Sequence, residues 1–349
     1  MLCSLLFAAM TFPMSTEFQT YGFETLKAVY SDFKIADTPG YAEEIGTGKP
    51  KHVAFNWGVG VMLSALNSAG RIDPVYKAEL RRFADAAHSY WNAEDPVPGY
   101  DVLPMPKPKD RYYDDNAWMV LALTETSEVL SDTKYLGWAK DALKFVLSGE
   151  DAKLGGGIYW REQERSSKNT CSNGPSAAAC LAVYERTKDS AFLKKARELY
   201  EWTRKNLQDP KDQLFWDAIR LDGSTEKTKW SYNTALMIRT AAELGRITGE
   251  KHYLQEAEEM AKASENRWIV DGRFADDGKF AHLLLESWRY VPSSHRDQVT
   301  REAMRWLWMS GRDVRGLFGE KFNQTRSRTA KNAALIDQAS AIRAFFQTP

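Results

Sequence analysis

Cysteine is almost missing from this chain of 349 residues: Cys3, Cys171 and Cys180 make no disulfide framework, and no CxxC or Cys/His spacing marks a zinc site. Histidine is scarce too, with 5 scattered copies and no HExxH pattern, so neither a metal nor another cofactor is expected, a carboxylate-bound calcium excepted. An excess of charge is also lacking. Lys+Arg and Asp+Glu both number 47, and without a basic stripe nucleic acid is not expected as a partner. Long apolar runs are missing as well. Leu2 to Met10 is apolar but too short to span a bilayer, and no other stretch reads as transmembrane, which argues against stable membrane insertion. That segment resembles the core of a signal peptide without its basic start. Residues 1–14 are therefore read as a truncated signal peptide or an apolar arm, and 15–349 as one domain. A secreted or periplasmic monomer is expected.

What the chain does have is a period. Asn56, Asn116, Asn173 and Asn233 are separated by 60, 57 and 60 residues, and each opens an apolar helical run. Asparagine is a favoured N-cap, and that role is expected here. Further apolar runs begin near His282 and at Asn332. Each apolar run is followed by a short turn and an amphipathic helix, marked by Tyr76, Tyr135, Phe192 and Tyr253 at steps of 59, 57 and 61. The segment HRDQVTREAMRWLWMS supplies a fifth amphipathic helix. STEFQTYGFETLKAVYSDF supplies the sixth by packing beside the C-terminal helix. Six buried helices alternating with six amphipathic ones point to an all-α fold, an (α/α)6 toroid of six helical hairpins.

Turns within hairpins are short, whereas the connections from amphipathic to buried helix are long and emerge at one end of the ring. Function concentrates in such loops. They bring Tyr100, Tyr112, Tyr113, Tyr159, Trp160, Phe215, Trp216, Trp230 and Tyr232 to one rim, with Asp101, Asp110, Asp114, Asp115, Arg161 and Asn173. Aromatic faces beside carboxylates and amides suit a neutral, hydroxyl-rich ligand such as a sugar. Phe215 and one of Tyr112 and Tyr113 are expected only to pin loops.

The adjacent pair Asp114 and Asp115 is the sharpest feature. Glycoside cleavage needs two carboxyl groups, and a retaining mechanism wants them about 5 Å apart. Two like charges that close raise one pKa and so provide an acid, while a helix N-terminus favours the ionised form of the other. The plainer reading is two aspartates at an ordinary helix start. Asp276 and Asp277 form a second such pair in a turn-like setting, and Glu43 and Glu44 are read as solvated. The run Gly155 to Gly157 lacks the Lys-Ser/Thr of a phosphate loop and is read as letting the backbone approach closely, beneath a sugar. Cys171 is read as a small packing residue.

With these residues in view the chain resembles glycoside hydrolase family 76, the endo-α-1,6-mannanases. The resemblance rests on YYDDNAWM (112–119), GGGIYWR (155–161), KNTCSNGPSAAACLAVYERT (168–187) and WSYNTALMI (230–238), in the family's order. It implies an (α/α)6 barrel and retaining cleavage of α-1,6-mannosidic links in α-mannan or manno-oligosaccharides, without a metal. Asp114 would be the nucleophile and Asp115 the general acid/base. Trp160, Asn173, Trp230, Tyr232 and Asn233 would match subsite residues, beside Tyr112 and Tyr113 on the rim. The charged stretch REQERSSK after the glycines departs from the pattern and is expected to alter a subsite. The fungal branch of the family is linked to anchor transfer, and this chain shows no C-terminal anchor signal, which favours hydrolysis. Two other readings compete: another (α/α)6 sugar enzyme, such as an unsaturated-uronide hydrolase or a histidine-dependent epimerase, and a glycan-binding protein without catalysis.

Overall fold

Alternating apolar and amphipathic runs become pairs of helices in the computed structural model, which describes residues 16–349 apart from 37, 39, 49–50 and 105–108. The apolar segment Leu2 to Met10 lies outside the described residues. In chain order the helices are α1 (Glu17–Asp32), α2 (Asn56–Ile72), α3 (Lys77–Ala87), α4 (Tyr113–Leu130), α5 (Thr133–Leu147), α6 (Thr170–Thr187), α7 (Ser190–Leu207), α8 (Ser231–Thr248), α9 (Lys251–Trp268), α10 (Gly278–Trp288), α11 (Ser294–Ser310) and α12 (Leu335–Gln347).

Burial separates them into two rings. Every residue of α6 from Thr170 to Val183 is buried, as expected of a helix with no polar face. Its partner α7 buries one face, Ala196, Leu199, Tyr200, Trp202, Thr203 and Leu207. The even-numbered helices pack in the closed order α2, α4, α6, α8, α10, α12 and back to α2. The odd-numbered helices lie outside. As the sequence suggests, α1 closes the outer ring beside α12, with Tyr21 against Phe345 and Phe23 against Phe346. The fold is an (α/α)6 barrel. Among the described residues no helix is long and apolar enough to cross a membrane.

The hairpin turns repeat one device. Ser131, Lys188 and Gly249 end inner helices in the left-handed conformation, at φ 52, 58 and 77°. Asp132 and Asp189 then start the outer helices by accepting from the backbone N–H groups of Lys134 and Ala191.

At the other end the asparagines do something different from capping. Phe55, Tyr112, Asn169 and Trp230 are the residues at the N-caps, and none makes a side-chain cap bond. Asn116 and Asn173 sit one turn inside their helices and reach back to the preceding loop. Asn116 accepts from Tyr100 N–H (2.7 Å) and donates to Tyr100 C=O (2.9 Å) and Tyr112 C=O (2.8 Å). Asn173 does the same with Ile158 (2.7 and 3.0 Å) and Asn169 C=O (2.8 Å). Gln338 repeats it in α12 with Phe318 (2.7 and 3.0 Å) and Ala334 C=O (3.0 Å). In α8 the same place is held by Thr234, which accepts from Phe215 N–H. A buried loop must find partners for its backbone polar groups, and these amides supply them.

Short antiparallel pairings complete the rim. Ser167–Asn169 pairs with Ala218–Arg220, and Glu44–Ile45 with Ala333–Ala334. Glu43 is not the solvated residue of the sequence reading: its carboxylate accepts from Phe55 N–H at 2.9 Å. The glycine run meets α7. Gly155, Gly156 and Gly157 all have positive φ, and a Cβ on Gly157 would lie 2.6 Å from the Trp202 ring of α7.

Replacing Gln338 by Ala strands the buried polar groups of Phe318 and Ala334. Denaturant unfolding is expected to show a loss of about 3 kcal/mol. A variant as stable as wild type contradicts the clamp.

Candidate active site

Six parallel inner helices present equivalent first-turn positions around one mouth. The second residue of α2, α4, α6 and α8 is Trp57, Asp114, Cys171 and Tyr232 respectively. Trp57, Asp114 and Tyr232 line a cavity of about 360 Å³ together with Asp115 and Asp110. Cys171 is buried behind them as a free thiol.

Aromatic rings form the walls. On one side Trp57 stacks on Phe280 (6.0 Å between centroids), and Phe280 stacks on Tyr232 (4.4 Å). On the other, Tyr112 meets Trp160 edge to face at 5.0 Å. Phe55 and Trp160 are the exposed rings at the lip, 46% and 42% accessible, while Trp118 forms part of the buried lining. Rings of this kind offer faces to the C–H surface of a sugar and bury little polarity.

The two carboxyl groups have unlike surroundings. Asp114 accepts from the Trp160 indole N–H (3.0 Å) and from the backbone N–H of Asp115 (3.0 Å), and it is hydrogen-bonded to the Cys171 thiol, which also bonds Tyr232. Burial pushes its pKa up to about 6, and these donors hold it from rising further. Asp115 takes no such donor from the described residues. Burial, then the negative charges of Asp114 and Asp110, drive its pKa well above the usual carboxylate range. The donors around Asp114 and its place at the positive end of α4 favour charge on Asp114, and the setting of Asp115 favours the proton there.

The charged stretch after the glycines forms the wall behind this pair. Glu162 holds the fully buried Arg111 with two bonds of 2.7 Å. Arg161 bonds Asp110 at 2.9 Å, and Arg165 donates to the Tyr113 hydroxyl. Three rungs thus lock residues 161–165 to residues 110–113.

Of the residues expected on sequence grounds, Asp110, Asp114, Asp115, Tyr112, Trp160 and Tyr232 come together in the cavity. The others lie elsewhere. Tyr113 is buried against Phe145 (4.9 Å) and serves α5, because the residue before Asp114 on a helix points away from the mouth. The amide of Asn173 is used up by backbone, and Asn233 donates to Asp217 at 3.3 Å from a buried position. Trp230 packs on Phe280 from outside the cavity, beside a neighbouring groove with Asp212 and Lys229. Asp276 accepts from Ser231 N–H, so it caps α8, and Asp277 pairs with Lys279 (3.3 Å). Sequence reasoning missed Trp57, Phe280 and the bonding of Cys171. Aligning the repeats on the first turn rather than on asparagine reveals Trp57 and Cys171.

A family model described as glycosyl hydrolase family 76 matches residues 20–278. No curated protein matches the sequence at a significant level. Among solved structures, a family 76 α-mannanase from Bacteroides thetaiotaomicron superimposes with a TM-score of 0.90 at 29% identity, covering 95% of each chain. A family 76 mannosidase from the same species gives 0.86 at 22% identity, covering 95% of this chain and 97% of that one. An α-1,6-mannanase from Salegentibacter sp. HEL1_6 gives 0.83 at 21% identity, over 95% and 99% of the two chains. That protein is an inactive variant with two adjacent aspartates changed to asparagine, in complex with α-1,6-mannotriose. At such identities the last two share the fold.

A carboxyl whose folded pKa is raised binds its proton more tightly in the native state, so it costs stability as pH rises from its unfolded value of about 4 through its folded value. The Asp115→Asn protein is accordingly expected to melt a few degrees above wild type at pH 7, with the gain shrinking as pH falls towards 4. Calorimetry showing an unchanged or lower Tm at pH 7 contradicts a raised pKa at the half-buried Asp115.

Proposed function

Since the chain belongs to glycosyl hydrolase family 76 and is a glycoside hydrolase, we propose that it cleaves α-1,6-mannosidic links in α-mannan by a retaining mechanism carried by Asp114 and Asp115. The observation that supports this most is the unequal bonding of the two carboxyl groups. Asp114, ionised and fixed by three donors, is the nucleophile at the anomeric carbon. Asp115, protonated in a desolvated setting, gives its proton to the glycosidic oxygen as the bond breaks. The same group then takes a proton from water, which releases the sugar from Asp114. The mannotriose complex of the Salegentibacter enzyme supports the linkage. Tyr112, Trp160 and Tyr232 supply faces for the sugar rings. A polymeric mannan is met outside the cytoplasm, so this reading carries export with it.

The epimerase alternative needs a histidine at the site. His282 is buried outside the cavity, 3.4 Å from Arg343, and burial followed by the Arg343 charge holds its pKa well below the usual range.

Wild type is expected to release short manno-oligosaccharides from debranched yeast α-1,6-mannan. Asp114→Asn and Asp115→Asn are expected to fold and to lose at least about 10²-fold in kcat/KM. Full activity in either variant, or no release by wild type, sinks the assignment. Replacing Trp160 by Phe removes one donor from Asp114, so the acidic limb of the pH profile is expected to move to higher pH. An unmoved limb rules out Trp160 as a support of the charge.

A further inference from the structure

Below the active-site cavity the inner ring carries charge along its axis. Ser64 and Ser68 of α2, Ala182 of α6, Glu243 of α8, Glu286 of α10 and Arg343 of α12 keep 8, 8, 6, 5, 6 and 5% of their surface accessible. Leu63, Val183, Leu244 and Ile342, beside them on the same helices but on other faces, keep none. The accessible set therefore outlines a bore along the axis. On α4 the face that carries Asp115 and Trp118 continues down to Glu125, which is half-buried.

Ion pairs run round part of this bore. Arg343 donates to Glu286, and Arg239 donates to Glu286 at 3.3 Å and to Glu243 at 3.4 Å. Helices α8, α10 and α12 are joined in this way, and α4 is not. The Glu125 carboxylate takes no hydrogen bond from a described residue, although the charges of Arg343, Glu286 and Arg239 act on it. The chain itself leaves polar atoms open. Glu243 Oε2, Arg343 Nε and Thr240 Oγ1 are buried without a partner among the described residues, as are His282 Nε2 and Ser340 Oγ on the two helices beside Arg343. Buried polar atoms cost stability unless something bonds them. The bonding group must donate to Glu243 and accept from Arg343. An anion would meet Glu125, Glu243 and Glu286, and a cation would meet Arg239 and Arg343. Water satisfies both demands.

We propose that bound water occupies the lower bore and bridges Glu125 to the chain Arg343–Glu286–Arg239–Glu243, tying α4 across the ring to α8, α10 and α12. Glu125 lies about three helical turns below Asp115. The tie thus holds the helix of the aspartate pair against the half-ring that carries Tyr232 and Phe280. It does not rest on any reading of the substrate.

Wild-type crystals that resolve solvent are expected to show water bonded to Glu243 Oε2, to Arg343 Nε and to the Glu125 carboxylate. A dry bore, or Glu125 bonded directly to an arginine, overturns the proposal. Xenon under pressure enters dry apolar voids, so it is expected to stay out of the lower bore, and xenon bound there overturns the proposal as well. In solution Glu125→Leu is expected to lower Tm by several degrees, because it releases the bridging water. Glu125→Gln still bonds water and is expected to keep most of the wild-type Tm. In a dry bore both replacements remove an enclosed, unpaired carboxylate and raise Tm. That result contradicts the bridge.

Discussion

Two carboxyl groups held side by side, half-buried in the wall of a cavity on consecutive residues of one helix, are the constraint around which this molecule is organised. Desolvation alone penalises both charges, and proximity penalises the second further. The conflict is resolved by asymmetry. Asp114 is given an indole N–H, a backbone N–H and a thiol, and among the described residues Asp115 is given none of these. One group can then carry charge and the other a proton at the same pH, which a symmetric environment does not allow. The asymmetry of the pair is therefore written in Trp160 and Cys171, which come from a different hairpin.

Bringing those groups to one point is the work of the ring. Parallel inner helices place equivalent first-turn positions around a common mouth, so residues some 57 positions apart in sequence, such as Asp114 and Cys171, become neighbours. The loops that roof the mouth are long, and buried rings such as Tyr100, Tyr159, Phe215 and Phe318 anchor them. Polar clamps hold them as well: Asn116, Asn173 and Gln338 from below, and Arg111–Glu162 and Arg161–Asp110 from the side. Lys168 adds another, its buried ammonium bonded to Asp151 and to the carbonyls of Lys153 and Gly156. Rigidity around the pair follows from these bonds.

Much of this was legible in the residues. The period, the division into buried and amphipathic helices and the pairing of α1 with α12 follow from hydrophobic spacing, which local physics controls. The aspartate pair was legible because its position at a loop–helix junction is itself part of the repeat. The roles of individual residues were less so, for a geometric reason. Helices α4 and α6 begin three residues before their asparagines, and a shift of that size turns Asn116 and Asn173 from caps into clamps. A shift of one residue separates Asp114 in the cavity from Tyr113 in the packing against α5. The glycine run fits Trp202 of α7, a contact between segments that no local pattern encodes.

The claim that most needs testing is that Asp114 bonds to sugar while Asp115 handles the proton. The direct measurement is to incubate wild type with a slowly turning-over fluorinated α-mannobiosyl fluoride, digest the trapped protein and map the adduct by mass spectrometry. The account requires one mannobiosyl group on Asp114. An adduct on Asp115 would exchange the roles, and turnover with no adduct and a β-configured first product would contradict the retaining mechanism altogether.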